Sequence, residues 1–416
     1  MKKKRIYVLS VVVLIIVIII GTSSVYVINQ QRKALEETRL LAENKEEQVE
    51  KVENVDGKDT AKALPTIPDS WDQTKVTPVL SADNKYVPVP IGFTASKAEG
   101  EQEVDHGFVI YEGEVTAVDP NAWTEEEAWQ ASLNKNQFVW VPVEKPSERI
   151  YEASGEKNPK KARLWYFSST TRTTTTQNNG ASKREPGILK SNNQENLRNC
   201  KTYFNLQDYS RDTWYKELQV EFDTAMKSIE KYGGFFIGRY ETGNISSSTP
   251  VVRRMNTNIS NQTWYTMYNR MKNISSNPNI QTSMIWGCLW NETLQWLIDT
   301  GVKTYAEINS STSWGNYYAT TFIYKTNISG GIGTKKQNSS TRIPTGSTEY
   351  TKANNIYDLA GNVMECSLTA DETGRSMYGG NYSFTDSFRY SVQYTWDNYL
   401  YRSYDHAGSR SYFYIK

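Results

Sequence analysis

The stretch NNIYDLAGNVMEC, Asn354–Cys366, and the Gly379-Gly380-Asn381-Tyr382 turn that follows it decide how this chain is read. Asp358, Gly361, Val363 and Glu365 would bring two carboxylates and two backbone carbonyls to one point, the hard oxygen set that calcium prefers. A loop of that kind is a folding nucleus. The other reading is an ordinary turn between two strands, in which Asp358 and Asn362 make local side-chain bonds. Spacing alone leans to the turn.

Several other pieces stand in a definite order around it. Ile356–Glu365 (IYDLAGNVME) resembles the "G-L-Y-D-M-x-G-N-V-W-E-W" signature of the formylglycine-generating-enzyme, or sulfatase-modifying-factor, family. Gly234–Thr242 (GFFIGRYET) resembles that family's "F-W-I-G-K-Y-E-V-T", and Asn136–Val143 (NQFVWVPV) its opening strand. Trp314-Gly315-Asn316, Tyr378–Tyr382 and Gly408-Ser409-Arg410 resemble its "W-G-N", "R-G-G-S-W" and "G-F-R". The resemblance covers roughly Val87–Lys416. It implies an α+β domain, a variant of the C-type lectin-like fold with short strands and few helices. It also implies a structural calcium on the Asp358 side chain, the Gly361 and Val363 carbonyls and the Glu365 carboxylate. Asp358 stands where some members have Asn, and Met364 and Cys366 replace the usual Trp pair.

Outward from this domain, the composition sets bounds. With 416 residues, 38% of them hydrophobic, and a net charge of +1, the chain can bury a sizeable core but offers no field of one sign. That argues against a nucleic-acid surface built on bulk charge. Lys2-Lys3-Lys4-Arg5 precedes an uncharged, largely apolar run, Ile6–Ile28, long enough to cross a bilayer as a helix. The basic flank predicts a single-pass membrane protein with a cytoplasmic N-terminus and its C-terminal domain outside the cell. A cleaved signal peptide is the rival; the length of the run and the lack of an Ala-x-Ala site favour a retained anchor. Residues 29–58 read as a solvated helical stalk open to self-association, residues 59–84, with Pro65 and Pro68, as a linker, and residues 85–416 as the domain. Strands are predicted at Tyr86–Pro90, Gly107–Tyr111 and Phe138–Val143, and helices at Ala122–Leu133, Asp212–Lys231 and Leu289–Asp299. Asp212 is a candidate cap and Gly233-Gly234 a stop.

The chemistry missing from the sequence is as informative. Only His106 and His406 exist, too few for the three-histidine iron centre of the sulfoxide-synthase relatives. The three cysteines, Cys200, Cys288 and Cys366, fit no zinc spacing. The copper-dependent members of the resembled family use a cysteine pair just after the Gly-Gly-Ser motif, since Cu(I) is soft. The matching positions here are Phe384 and Arg389, so no copper is expected and the oxidase reading loses its centre. A divergent enzyme on the same fold stays a rival, and a structural envelope protein is another.

What the sequence does carry is the tail Ser383–Ala407 (SFTDSFRYSVQYTWDNYLYRSYDHA), where tyrosines alternate with Ser, Asp, Asn and Arg, and Lys and Glu are missing. Binding surfaces favour that mixture, because Tyr and Trp bring large contact area at low entropic cost. The same fold serves the variable proteins of diversity-generating retroelements, and Gly379–Tyr382 and Gly408–Ser411 resemble the fixed flanks of their mutated segment. The expectation is therefore a non-catalytic, membrane-anchored surface protein that binds an extracellular protein or carbohydrate. Its candidate contacts are Tyr390, Tyr394, Trp396, Asn398, Tyr399, Tyr401, Tyr404 and Asp405.

Overall fold

The C-terminal pentapeptide Ser411–Ile415, buried throughout, is an interior strand of the main sheet rather than a frayed end. The computed structural model describes residues 64–143, 211–244, 249–258, 261–308, 310–370, 375–383, 396–398 and 403–416. The expected membrane segment and stalk lie outside these, as do four of the eight predicted contacts; among the described residues no helix is long and apolar enough to cross a membrane.

The described chain is mixed α+β, mostly strands. In order it forms β1 (Val76–Leu80), β2 (Tyr86–Pro90), β3 (Phe93–Ala95), β4 (Val109–Glu112), α1 (Glu125–Asn134), β5 (Gln137–Pro142), α2 (Arg211–Tyr232), β6 (Gly234–Gly238), β7 (Gly243–Asn244) and β8 (Pro250–Val251). There follow α3 (Trp264–Met271), β9 (Ile280–Met284), α4 (Gly287–Asp299), the single turn α5 (Tyr305–Ile308), β10 (Phe322–Lys325), β11 (Ile332–Lys335), β12 (Lys352–Ala353) and β13 (Ile356–Tyr357). The last strands are β14 (Met364–Ala370), β15 (Arg375–Tyr378), β16 (Trp396–Asn398), β17 (Ala407–Ser409) and β18 (Ser411–Ile415).

Two sheets position the site. The larger is antiparallel in the order β3-β4-β5-β6-β18-β9, so the final strand ties early strands to late ones. The smaller runs β16-β15-β14-β17, with β14 and β17 parallel. Alternate residues of neighbouring strands meet on one face of the larger sheet: Phe413 lies 4.8 Å from Phe138 and 4.7 Å from Phe236, ring centre to ring centre. Against the same sheet packs α2, whose Leu218, Phe222, Ala225, Met226 and Ile229 recur at helical spacing and are all buried.

The three predicted helices form with ends shifted by a few residues. Thr124 caps α1 in a reciprocal box with Glu127. Asp212 lies inside α2, whose first residue is Arg211, and is not its cap. The predicted linker requires correction. Trp71 and Val76 are buried, β1 pairs with β2 over its whole length, and Pro65–Lys416 is one compact unit. Proline and mixed charge mark that segment as a linker by composition, yet a single Trp and one hairpin suffice to dock it.

At Gly107 the early chain packs against the backbone of the Asn354–Cys366 stretch. Its φ is +93° and a Cβ there would stand 1.9 Å from the Asn354 carbonyl oxygen. Gly100, at φ +73°, has open space around it. Gly107→Ala is therefore expected to cost about 3 kcal/mol or more, from strain plus displaced backbone, and Gly100→Ala about 1–2 kcal/mol. Equal losses in urea unfolding would contradict the contact.

Candidate functional site

The stretch Asn354–Cys366 folds as a tight loop because its residue types suit the left-handed region. Asn354, Asn355, Asp358, Gly361 and Asn362 all have positive φ, and Asn, Asp and Gly tolerate it best. Each turn is then pinned by a distant segment. The Asn355 amide donates to the carbonyls of Gly100, His106 and Gly107. Asn316 Nδ2 donates to Asn362 Oδ1 at 3.0 Å, and the Asn362 amide N–H to the Asn316 carbonyl at 2.9 Å. The Gly361 N–H donates to the Gly379 carbonyl at 2.8 Å, and that oxygen also accepts from the Tyr317 hydroxyl at 2.7 Å.

Three carboxylates are fully buried here. Glu241 Oε1 accepts from the Val363 N–H at 3.0 Å, and its Oε2 from Asn258 and Asn362 at 2.9 and 2.6 Å. Asp358 Oδ1 accepts from the Thr351 hydroxyl at 2.7 Å, and its Oδ2 from the Thr345 hydroxyl and the Gly346 N–H at 2.9 and 2.8 Å. Glu365 Oε1 accepts from Arg410 Nε at 2.7 Å and lies 2.7 Å from Nη2; its Oε2 has no partner. Arg410 Nη1 and Nη2 also reach the Gly238 and Tyr357 carbonyls, both at 2.8 Å. A second buried pair stands behind the loop, with Arg239 Nη2 2.5 Å from Glu101 Oε1 and Arg239 Nε on the Asn355 carbonyl.

The four predicted calcium ligands thus occupy one loop, but their side chains serve protein donors. A calcium ion takes about six to eight oxygens, and Glu365 Oε2 is the one carboxylate oxygen of the three left over. Turning Asp358 to a metal would take its acceptor from the Thr345 hydroxyl and the Gly346 N–H, at about 1–3 kcal/mol each, and leave the Thr351 hydroxyl only the Thr348 carbonyl at 3.4 Å. Among the described residues no three His, Cys, Asp or Glu side chains form a group that could hold a metal ion.

Of the predicted contacts, Tyr404 is half-buried, with its ring 5.3 Å from that of His406, and Asp405 is exposed, with Oδ1 2.9 Å from His406 Nδ1. The Asp405 carbonyl accepts from Arg342 Nη1 at 3.3 Å. The backbones of Trp396 and Asn398 belong to β16 and pair with Met377 and Arg375 of β15. Tyr390, Tyr394, Tyr399 and Tyr401 lie outside the described residues, as do Phe384, Arg389 and Cys200. Cys366 is buried in β14, so it offers no thiol to a groove, and Cys288 is half-buried at the start of α4. Sequence reasoning missed Arg342 and His406 beside the contacts, and gave Glu241 and Arg410 no role although both stand in quoted motifs.

No protein-family model matches the chain, and no curated protein matches it. The site therefore rests on its own geometry.

Burial pushes Glu365 up to about 8, opposed by the Arg410 charge and reinforced by Asp358. Burial also raises Glu241, with Asp358 and Glu365 adding to it, and raises Asp358 against its three hydrogen bonds. A carboxyl that holds its proton more tightly folded than unfolded favours the fold at low pH. That advantage is lost as pH rises from the ordinary carboxylate value through the folded one. Stability is expected to fall between about pH 5 and 8, and Glu365→Gln, which keeps an acceptor for Arg410 without the charge, to flatten that fall. Thermal midpoints across this range in chelator check it; an unchanged slope in the variant counts against the assignment.

Proposed function

We propose that the Pro65–Lys416 unit is a sulfatase-modifying-factor/C-type lectin-like domain, held outside the cell by an Ile6–Ile28 membrane anchor. Its task is to bind a protein or carbohydrate ligand through the segment Ser383–Ala407. The observation that carries this reading is where that segment begins and ends. Before it, Tyr378–Asn381 is buried, with Tyr378 stacked 5.6 Å from Trp290; after it, Ala407–Ile415 is buried across both sheets. β15 and β17 flank the same strand, β14, so both ends of the aromatic-polar segment leave one rigid platform. An aromatic-polar segment that starts and ends on such a platform suits a displayed binding face.

The spatial meeting of the resembled motifs supports the fold assignment. Glu241, Asn316, Gly379 and Arg410 come from four of those pieces, and each contacts the Ile356–Glu365 piece directly. Tyr and Trp among short polar side chains favour stacking and adaptable hydrogen bonds over a charged or covalent mode.

On this reading, a ligand found by screening the chain on glycan and protein arrays loses at least about tenfold in affinity when Tyr390, Tyr394, Tyr399 and Tyr401 are changed to Ala together, at an unchanged melting temperature. Undiminished binding would move the face elsewhere. Copper-dependent thiol oxidation by the purified chain would favour the enzyme instead. A near-copy of the tail's codons differing at adenines, beside a reverse-transcriptase gene, would make the face a diversified one.

A further inference from the structure

We propose that Arg410 is the resident cation of the Asn354–Glu365 loop and that the domain keeps its fold without calcium. The inference concerns the scaffold, so its failure would leave the ligand-binding reading untouched.

Arg410 is the single residue between β17 and β18, and its side chain is fully buried. The guanidinium faces Glu365 Oε1 through Nε and Nη2, the Gly238 carbonyl through Nη1 and the Tyr357 carbonyl through Nη2. One carboxylate and two backbone carbonyls around a buried positive charge form a coordination shell of oxygens. Here a planar, permanently charged fork fills it. It reaches the end of β6, the end of β13 and the body of β14, the elements a loop-stabilising metal would be needed to join.

The other acidic side chains are supplied independently of any ion. Asp358 faces the Thr345 and Thr351 hydroxyls and the Gly346 N–H, all from the segment running up to β12. Glu241 faces the Val363 N–H and two Asn amides. An ion entering the loop would have to displace these donors from their carboxylates, or expel the guanidinium.

The test is thermal unfolding of the purified full-length chain in EGTA and in excess calcium. The expected midpoints agree to within about 1 °C, whereas a bound calcium at saturation would raise the midpoint by several degrees. Any calcium-dependent rise beyond that margin overturns the proposal. Asp358→Asn gives a second arm. An amide oxygen still ligates calcium, but the NH2 group would replace one of two carboxylate oxygens that both accept here. The variant is expected to melt lower in EGTA and in calcium alike. No drop, or a drop that calcium restores, overturns the proposal.

Discussion

The buried pairing of Arg410 with Glu365 is the constraint on which the rest of the site depends. Arg410 stands at the only residue separating a strand of the smaller sheet from a strand of the larger one, and Glu365 lies in the middle of the smaller. Their contact fixes how the chain turns from one sheet to the other. The guanidinium also gathers the Gly238 and Tyr357 carbonyls. Truncating Glu365 so that no acceptor remains would leave the buried Arg410 charge uncompensated, typically about 3–5 kcal/mol, whereas an amide at that position keeps the acceptor. The pairing does not explain Glu365 Oε2, which is buried and has no partner.

Around that pair the polar groups form layers of paired donors and acceptors. Asn355 and Arg239 secure the early strands to the loop, Asn316 and Asn362 secure its far side, and Glu241 takes the Val363 N–H. Hydrogen bonds of this density in a low-dielectric interior specify one arrangement, because each group left unpaired is costly. The proposed binding face gains from this, because the residues flanking it on both sides are fixed in that network and its sheets.

Much of this was legible in the sequence where the signal is local. The turn residues of Asn354–Gly361, the hydrophobic stripe of α2 and the β-rich runs at 86–90 and 138–143 predict what forms, the last strand one residue earlier than expected. Long-range charge pairing was not legible: Glu365 and Arg410 are 45 positions apart, and Glu241 and Val363 122. Spacing alone leaned to a turn and the calcium reading came from the resemblance; that Asp358 and Glu365 meet donors elsewhere in the chain could be seen in neither. Helix α3 (WYTMYNRM) escaped notice because aromatic residues are poor helix formers; the Thr263 cap and a buried apolar side hold it instead. The segment 65–84 was misjudged for a similar reason, since composition cannot show that Trp71 finds the ring of Tyr232 at 6.4 Å.

Amide hydrogen exchange of the intact chain tests the central claim most directly, by asking whether the Asn354–Glu365 loop is part of the rigid core. The account predicts that the Gly346, Gly361, Asn362 and Val363 amides, each donating to a buried acceptor, exchange as slowly as those of β5 and β6 and through the same global opening. Fast exchange of these amides while β5 and β6 remain protected would contradict it, and would make the loop a separately opening element.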